Sequence, residues 1–114
     1  MAKYERELNG NFDEMLKLCD KAVMQSASAN REDGSDYERG GIRVAFRVYE
    51  RYSMIGSNRV SLALTLIGEG DELALTAITS GGSQAVFFKI NTFGEENFLN
   101  TLVKAVEAQI KRGK

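Results

Sequence analysis

The 114-residue chain contains no histidine, no tryptophan and no proline, and one cysteine, Cys19. Zinc and related metal centres are built from clusters of imidazole and thiolate, and such clusters cannot be assembled here. The carboxylates of Glu32, Asp33 and Asp36 are the only alternative donor set worth naming, and a weak one. No metal and no cofactor are expected. Cys19 has no imidazole to activate it as a nucleophile. It also has no partner for an intramolecular disulfide, which excludes a secreted disulfide scaffold and points to a reducing cytosol. No apolar run approaches the about 18 residues of a membrane span. The N-terminal MAKYEREL lacks the apolar core of a signal peptide, so a cytoplasmic location is expected. An excess of one charge is missing too. Fifteen basic and sixteen acidic residues leave a net charge of −1, whereas a duplex-binding domain is usually more basic.

What is present suits one globular domain: 43% apolar and 27% charged residues, in a length able to bury roughly 65% of the unfolded surface. Ala2–Leu8 alternates weakly and predicts a first strand, ended by Gly10. Asn11, with Glu14 three residues on, forms a capping box. Phe12, Met15, Leu16, Cys19, Ala22 and Val23 then recur at helical spacing. Ser26–Gly41 reads as a polar connection, with a frayed helix end or short edge strand at Ser26–Asn30 and a turn at Asp33-Gly34-Ser35-Asp36. Four strands follow, at Ile42–Met54, Arg59–Ile67, Glu72–Ser80 and Gln84–Ile90. Thr92 and Glu95 cap a second helix whose stripe is Phe98, Leu99, Leu102, Val103, Val106 and Ile110, closed by Gly113.

Parity ties these strands together, because facing residues of antiparallel neighbours share a side and a one-residue slip reverses every face. A three-residue turn at Gly56-Ser57-Asn58 matches Ile42, Val44, Phe46 and Val48 with Val60, Leu62, Leu64 and Leu66. Two-residue turns at Glu69-Gly70 and Gly81-Gly82 extend that side through Leu73, Leu75 and Ala77 to Val86, Phe88 and Ile90. The expectation is a two-layer α+β domain, an antiparallel meander with two helices packed on one face in the order β-α-β-β-β-β-α. It is analogous to the half-repeat of the TATA-binding protein and to helix-grip folds, an analogy of fold that carries no function.

The strings RVYERYSMIGSNRVSL, LIGEGD and AITSGGSQAVFFKINTFGEE resemble a family of small bacterial proteins of unknown function, mostly from Gram-positive anaerobes. The resemblance spans nearly the whole chain. It implies a bacterial, cytoplasmic protein and brings no activity or functional residues with it.

In this register the side of the sheet left open by the helices carries the candidate ligand-binding or interface residues: Arg43, Arg47, Tyr49, Arg51, Arg59, Ile67, Ile78, Phe87 and Lys89. Arginine, tyrosine and small residues in this mixture suit an interface. The first expectation is a homodimer through this face or an edge. The alternatives are a weak single-stranded nucleic-acid site along Arg43, Arg47 and Arg51, against which the net charge argues, and a small-molecule pocket between sheet and helices. Glu50 breaks the pattern by falling on the aliphatic side. It is a candidate acid with a perturbed pKa unless a bulge turns it outward or a base pairs with it. Ser80-Gly81-Gly82-Ser83 is a glycine hairpin and not a phosphate cradle, since no helix follows it. With no catalytic constellation, the chain reads as a non-enzymatic binding or assembly module.

Overall fold

A polar segment that carries no apolar alternation completes the sheet. In the computed structural model the elements run β1 (Ala2–Asn9), α1 (Phe12–Met24), β2 (Ala29–Arg39), β3 (Ile42–Ser53), β4 (Asn58–Glu69), β5 (Glu72–Gly81) and α2 (Phe88–Arg112). It describes residues 1–26, 28–53, 58–81 and 88–113, with the side chains of 53, 58 and 88–97 left out. The strands form one antiparallel sheet in the order β1-β5-β4-β3-β2. Both helices pack on one side of it, so the α+β class and the β-α-β-β-β-β-α order hold.

The strand that fills the fourth meander place is not the expected one. Ala29–Arg39 pairs with β3 along its length, and Gly40 and Gly41, both at positive φ, turn the hairpin. The expected turn at Asp33–Asp36 is continuous strand, with an irregularity between Arg31 and Asp33. Conversely, Phe88–Ile90 is helix, and Gln84–Phe87 lies outside the described residues. The physical reason is at the far edge: β5 is flanked by β4 and β1, so no free side remains for a strand after it. Thr92 and Glu95 therefore lie inside α2 instead of capping it.

The first helix forms as its residues dictate. Asn11 sits in extended backbone, and its side chain accepts the Glu14 N–H at 2.9 Å. Asp13 and Glu14 occupy the first turn, where the helix dipole favours negative charge. The helix starts tight against the sheet because Gly68 is bare: a Cβ there would meet the Phe12 ring at 2.6 Å. The core joins Phe12, Met15, Cys19, Ala22 and Val23 of α1 to Phe98, Leu99, Leu102 and Val106 of α2, over Val60, Leu62, Leu64, Leu66, Leu73, Leu75 and Ala77. Gly113 closes α2 by donating to the Gln109 carbonyl at 2.9 Å.

One register differs from expectation, and it reverses a whole strand. Ser53 pairs with Asn58, leaving four residues between them where a three-residue turn was expected. Leu64 consequently stands opposite Arg47, and Leu62 opposite Tyr49. Ala45 and Tyr49 enter the core, while Ile42, Val44, Phe46 and Val48 face away from the helices.

Candidate functional site

Arg43, Arg47, Tyr49 and Arg51 thus lie on the helix side and do not line the open face. There they fasten the helices and the edge strand. Arg43 donates two hydrogen bonds to Asp13, at 3.1 and 2.9 Å, and stacks over Phe12 at 4.2 Å from its centroid. Those bonds hold the Asp13 carboxyl below its usual range. Arg47 crosses β2 at Gly34, where a Cβ would strike the Phe46 carbonyl oxygen at 2.7 Å and the arginine Cδ at 2.8 Å. It donates to the Ser35 and Phe46 carbonyls and to Asp36. Arg51 stacks over Phe98 at 4.9 Å.

Tyr49 is fully buried and donates to Asp20 at 2.9 Å, and Arg31 approaches the same carboxylate at 3.5 Å. A matching cluster holds α2 to β1: Tyr4 donates to Glu107, which Arg6 meets at 3.1 Å. Burial, then the carboxylate each phenol donates to, raises both tyrosine pKa values. Sequence reasoning missed these two tyrosine–carboxylate–arginine clasps. For the first a signal was available, in that Asp20 stands beside Cys19 at the edge of the apolar stripe of α1.

Glu50 faces away from the helices, opposite Ser61, and its carboxylate accepts a hydrogen bond from Arg59. The expected place of Glu50 on the aliphatic side is corrected: the four-residue spacing between β3 and β4 turns it outward, and Arg59 pairs with it. Cys19 has no solvent exposure, and burial, with Asp20 adding to it, pushes its thiol up to about 12. Among the described residues no three acidic, cysteine or histidine side chains gather as a metal site. Of the acidic triplet, Asp33 accepts the Gly34 N–H and Asp36 pairs with Arg47.

Clefts open at the foot of α1, beside Gly10, Asp13, Arg43 and Gly68, and between α1 and the end of α2, beside Met15, Leu18 and Ile110. Both are open to solvent at the margins of the core. Phe87 lies outside the described residues, and Lys89 is in the first turn of α2, not in a strand.

Ile67, Ile78 and Arg59 stand on the open face as expected, in different company. The register places Ile42, Val44, Phe46 and Val48 beside Ile67, Ala63, Ala74 and Ile78, with Tyr37 of β2 alongside. Ile42, Phe46 and Ile67 are each about two-fifths exposed, and Tyr37 and Tyr52 more than half. Around this apolar block run Glu5 and Glu7 on β1, Glu69 and Glu72 at one end, Arg39 on β2, and Glu50 with Arg59 at the other end. An apolar centre inside a charged rim is the anatomy of a protein interface.

Among the described residues no helix is long and apolar enough to cross a membrane. The model of a family of unknown function, DUF6054, matches residues 1–110. No curated protein and no solved structure matches the chain.

Proposed function

We propose that this chain, which belongs to the family of unknown function DUF6054, acts by docking and not by catalysis, and that its working surface is the helix-free face of the sheet. One observation carries this reading. Phe46, Ile67 and Ile42 stay substantially exposed in one contiguous block, although on its other side the same sheet buries the apolar residues of β3, β4 and β5 under α1 and α2. A sheet with two apolar faces calls for a layer on each, and the described residues supply only one. Exposed apolar patches of this kind mark interaction sites on soluble chains.

The edges are poor alternatives. β2 carries Arg31, Glu32, Asp33, Asp36, Glu38 and Arg39 in eleven residues and is irregular at Arg31/Asp33. Charge and bulges are the devices that keep an edge strand from pairing. Work in a reducing cytosol belongs to the same reading, since Cys19 is buried and single.

The test is one chain carrying both Phe46→Lys and Ile67→Lys. It is expected to keep the native circular dichroism spectrum, to stay monomeric and to bind little environment-sensitive apolar dye. The natural chain is expected either to assemble or to bind the dye. A natural chain that is monomeric and binds no more dye than the variant would sink the reading, and so would a variant that fails to fold.

A further inference from the structure

We infer that the surface docked on this face is a second copy of the same chain, related by a two-fold axis that crosses the strands through Phe46, Thr65 and Thr76. This rests on the docking reading above and adds the partner and its arrangement. Phe46, Thr65 and Thr76 are paired in register and make one row across β3, β4 and β5, continued on β1 by Glu5. The next row on one side is Val44, Ile67, Ala74 and Glu7, and on the other Val48, Ala63, Ile78 and Lys3.

A half-turn about the central row lays these two rows on each other. Bulky Ile67 then meets small Ala63, bulky Ile78 meets small Ala74, Val44 meets Val48, and Glu7 meets Lys3. The two phenylalanine rings meet at the axis, where aromatic pairs add to the burial. An axis running along β4 packs worse: it sets Ile67 on Ile67 and Ala63 on Ala63, and each axis sets one carboxylate on its own copy, Glu69 there and Glu5 here. Opposed bulky pairs and opposed small pairs pack badly.

Size agrees as well. Five strands of 8 to 12 residues, at about 3.3 Å per residue and about 4.8 Å between strands, give a face of roughly 800 Å². That is about the share each partner contributes to a stable interface. A two-fold dimer that closes on itself uses each face once and leaves none exposed.

The experiment uses the full chain with single added cysteines and a short bis-maleimide, Cys19 being fully buried and out of reach. The natural chain is expected to sediment at twice its 12.6 kDa, and the Phe46→Lys, Ile67→Lys chain as a monomer. Phe46→Cys and Thr76→Cys, both on the axis, are expected to cross-link to dimers. Ile67→Cys alone is expected to react roughly tenfold more slowly, because its copies lie roughly 17 Å apart with the sheets about 10 Å apart. Ile67→Cys mixed with Ala63→Cys is expected to link.

Thr76→Cys leaves the apolar block intact, so a weakened Phe46→Cys dimer does not decide the matter. A natural chain that stays monomeric but binds the apolar dye overturns the second copy and leaves the docking reading standing. A dimer in which Ile67→Cys links faster than Thr76→Cys overturns the axis. A dimer indifferent to the two lysines overturns both proposals.

Discussion

At the scale of single residues, two glycines and a cysteine decide more than their neighbours. Gly68 leaves the space that the Phe12 ring fills at the start of α1. Gly68→Ala forces ring and strand apart and is expected to cost about 1–3 kcal/mol, read as a lower denaturant midpoint. Cys19 sets the alkaline limit. Its folded-state pKa rises from 9.0 to about 12, so above pH 9 the unfolded chain gives up that proton while the folded chain keeps it. The unfolded state then binds fewer protons, and stability falls as pH rises. Tyr4 and Tyr49 act in the same sense from pH 10 upward, where an exposed phenol ionises and these two, one half-buried and one buried and each donating to a carboxylate, do not. Denaturant midpoints are expected to decline from pH 9, and Cys19→Ala is expected to flatten the first part of that decline. Asn11 was legible as a cap from spacing alone. Gly34 was not, since only the crossing of Arg47 explains why that position must be bare.

At the scale of elements, α1 was legible and β2 was not, for one reason. Periodicity in sequence reports burial on one side, and α1 has a buried stripe, whereas nearly every residue of β2 is exposed on both faces. Its hold on the sheet comes from backbone pairing with β3 and from Arg47 lying across Gly34. Gly34→Ala is therefore expected to raise amide exchange along β2 while leaving β4 unchanged, measured by hydrogen–deuterium exchange. The register of β3 was ambiguous in sequence because loops of three and four residues both suit SMIGSN. Either choice places charge under the helices: Glu50 in one, three arginines in the other. The arginines are the cheaper set, because their stems cover apolar surface while their heads reach Asp13 and Asp36. Glu50→Gln checks this placement. On the open face, beside Arg59, it is expected to change stability by no more than about 1 kcal/mol, whereas a buried carboxylate would move it several-fold more.

At the scale of the molecule, the helices cover one side of a sheet whose other side also carries exposed apolar residues, and the proposed docking rests on that imbalance. Placing lysines at positions 46 and 67 is expected to raise solubility and to hold the chain as a monomer in sedimentation, with the fold intact. The sequence by itself determined the class of fold, α1 with its cap, the apolar stripe of α2 though not its start, and the core faces of β4 and β5, because hydrophobic period is a local property. It also showed that no histidine and a single cysteine are available for metal or thiol chemistry. Tertiary structure alone decided which side of β3 is buried, that the polar Ala29–Arg39 segment is a strand, and that Phe88–Ile90 is not. Those outcomes depend on which partner occupies each edge and each face of the sheet, and that occupancy exists only once distant segments have met.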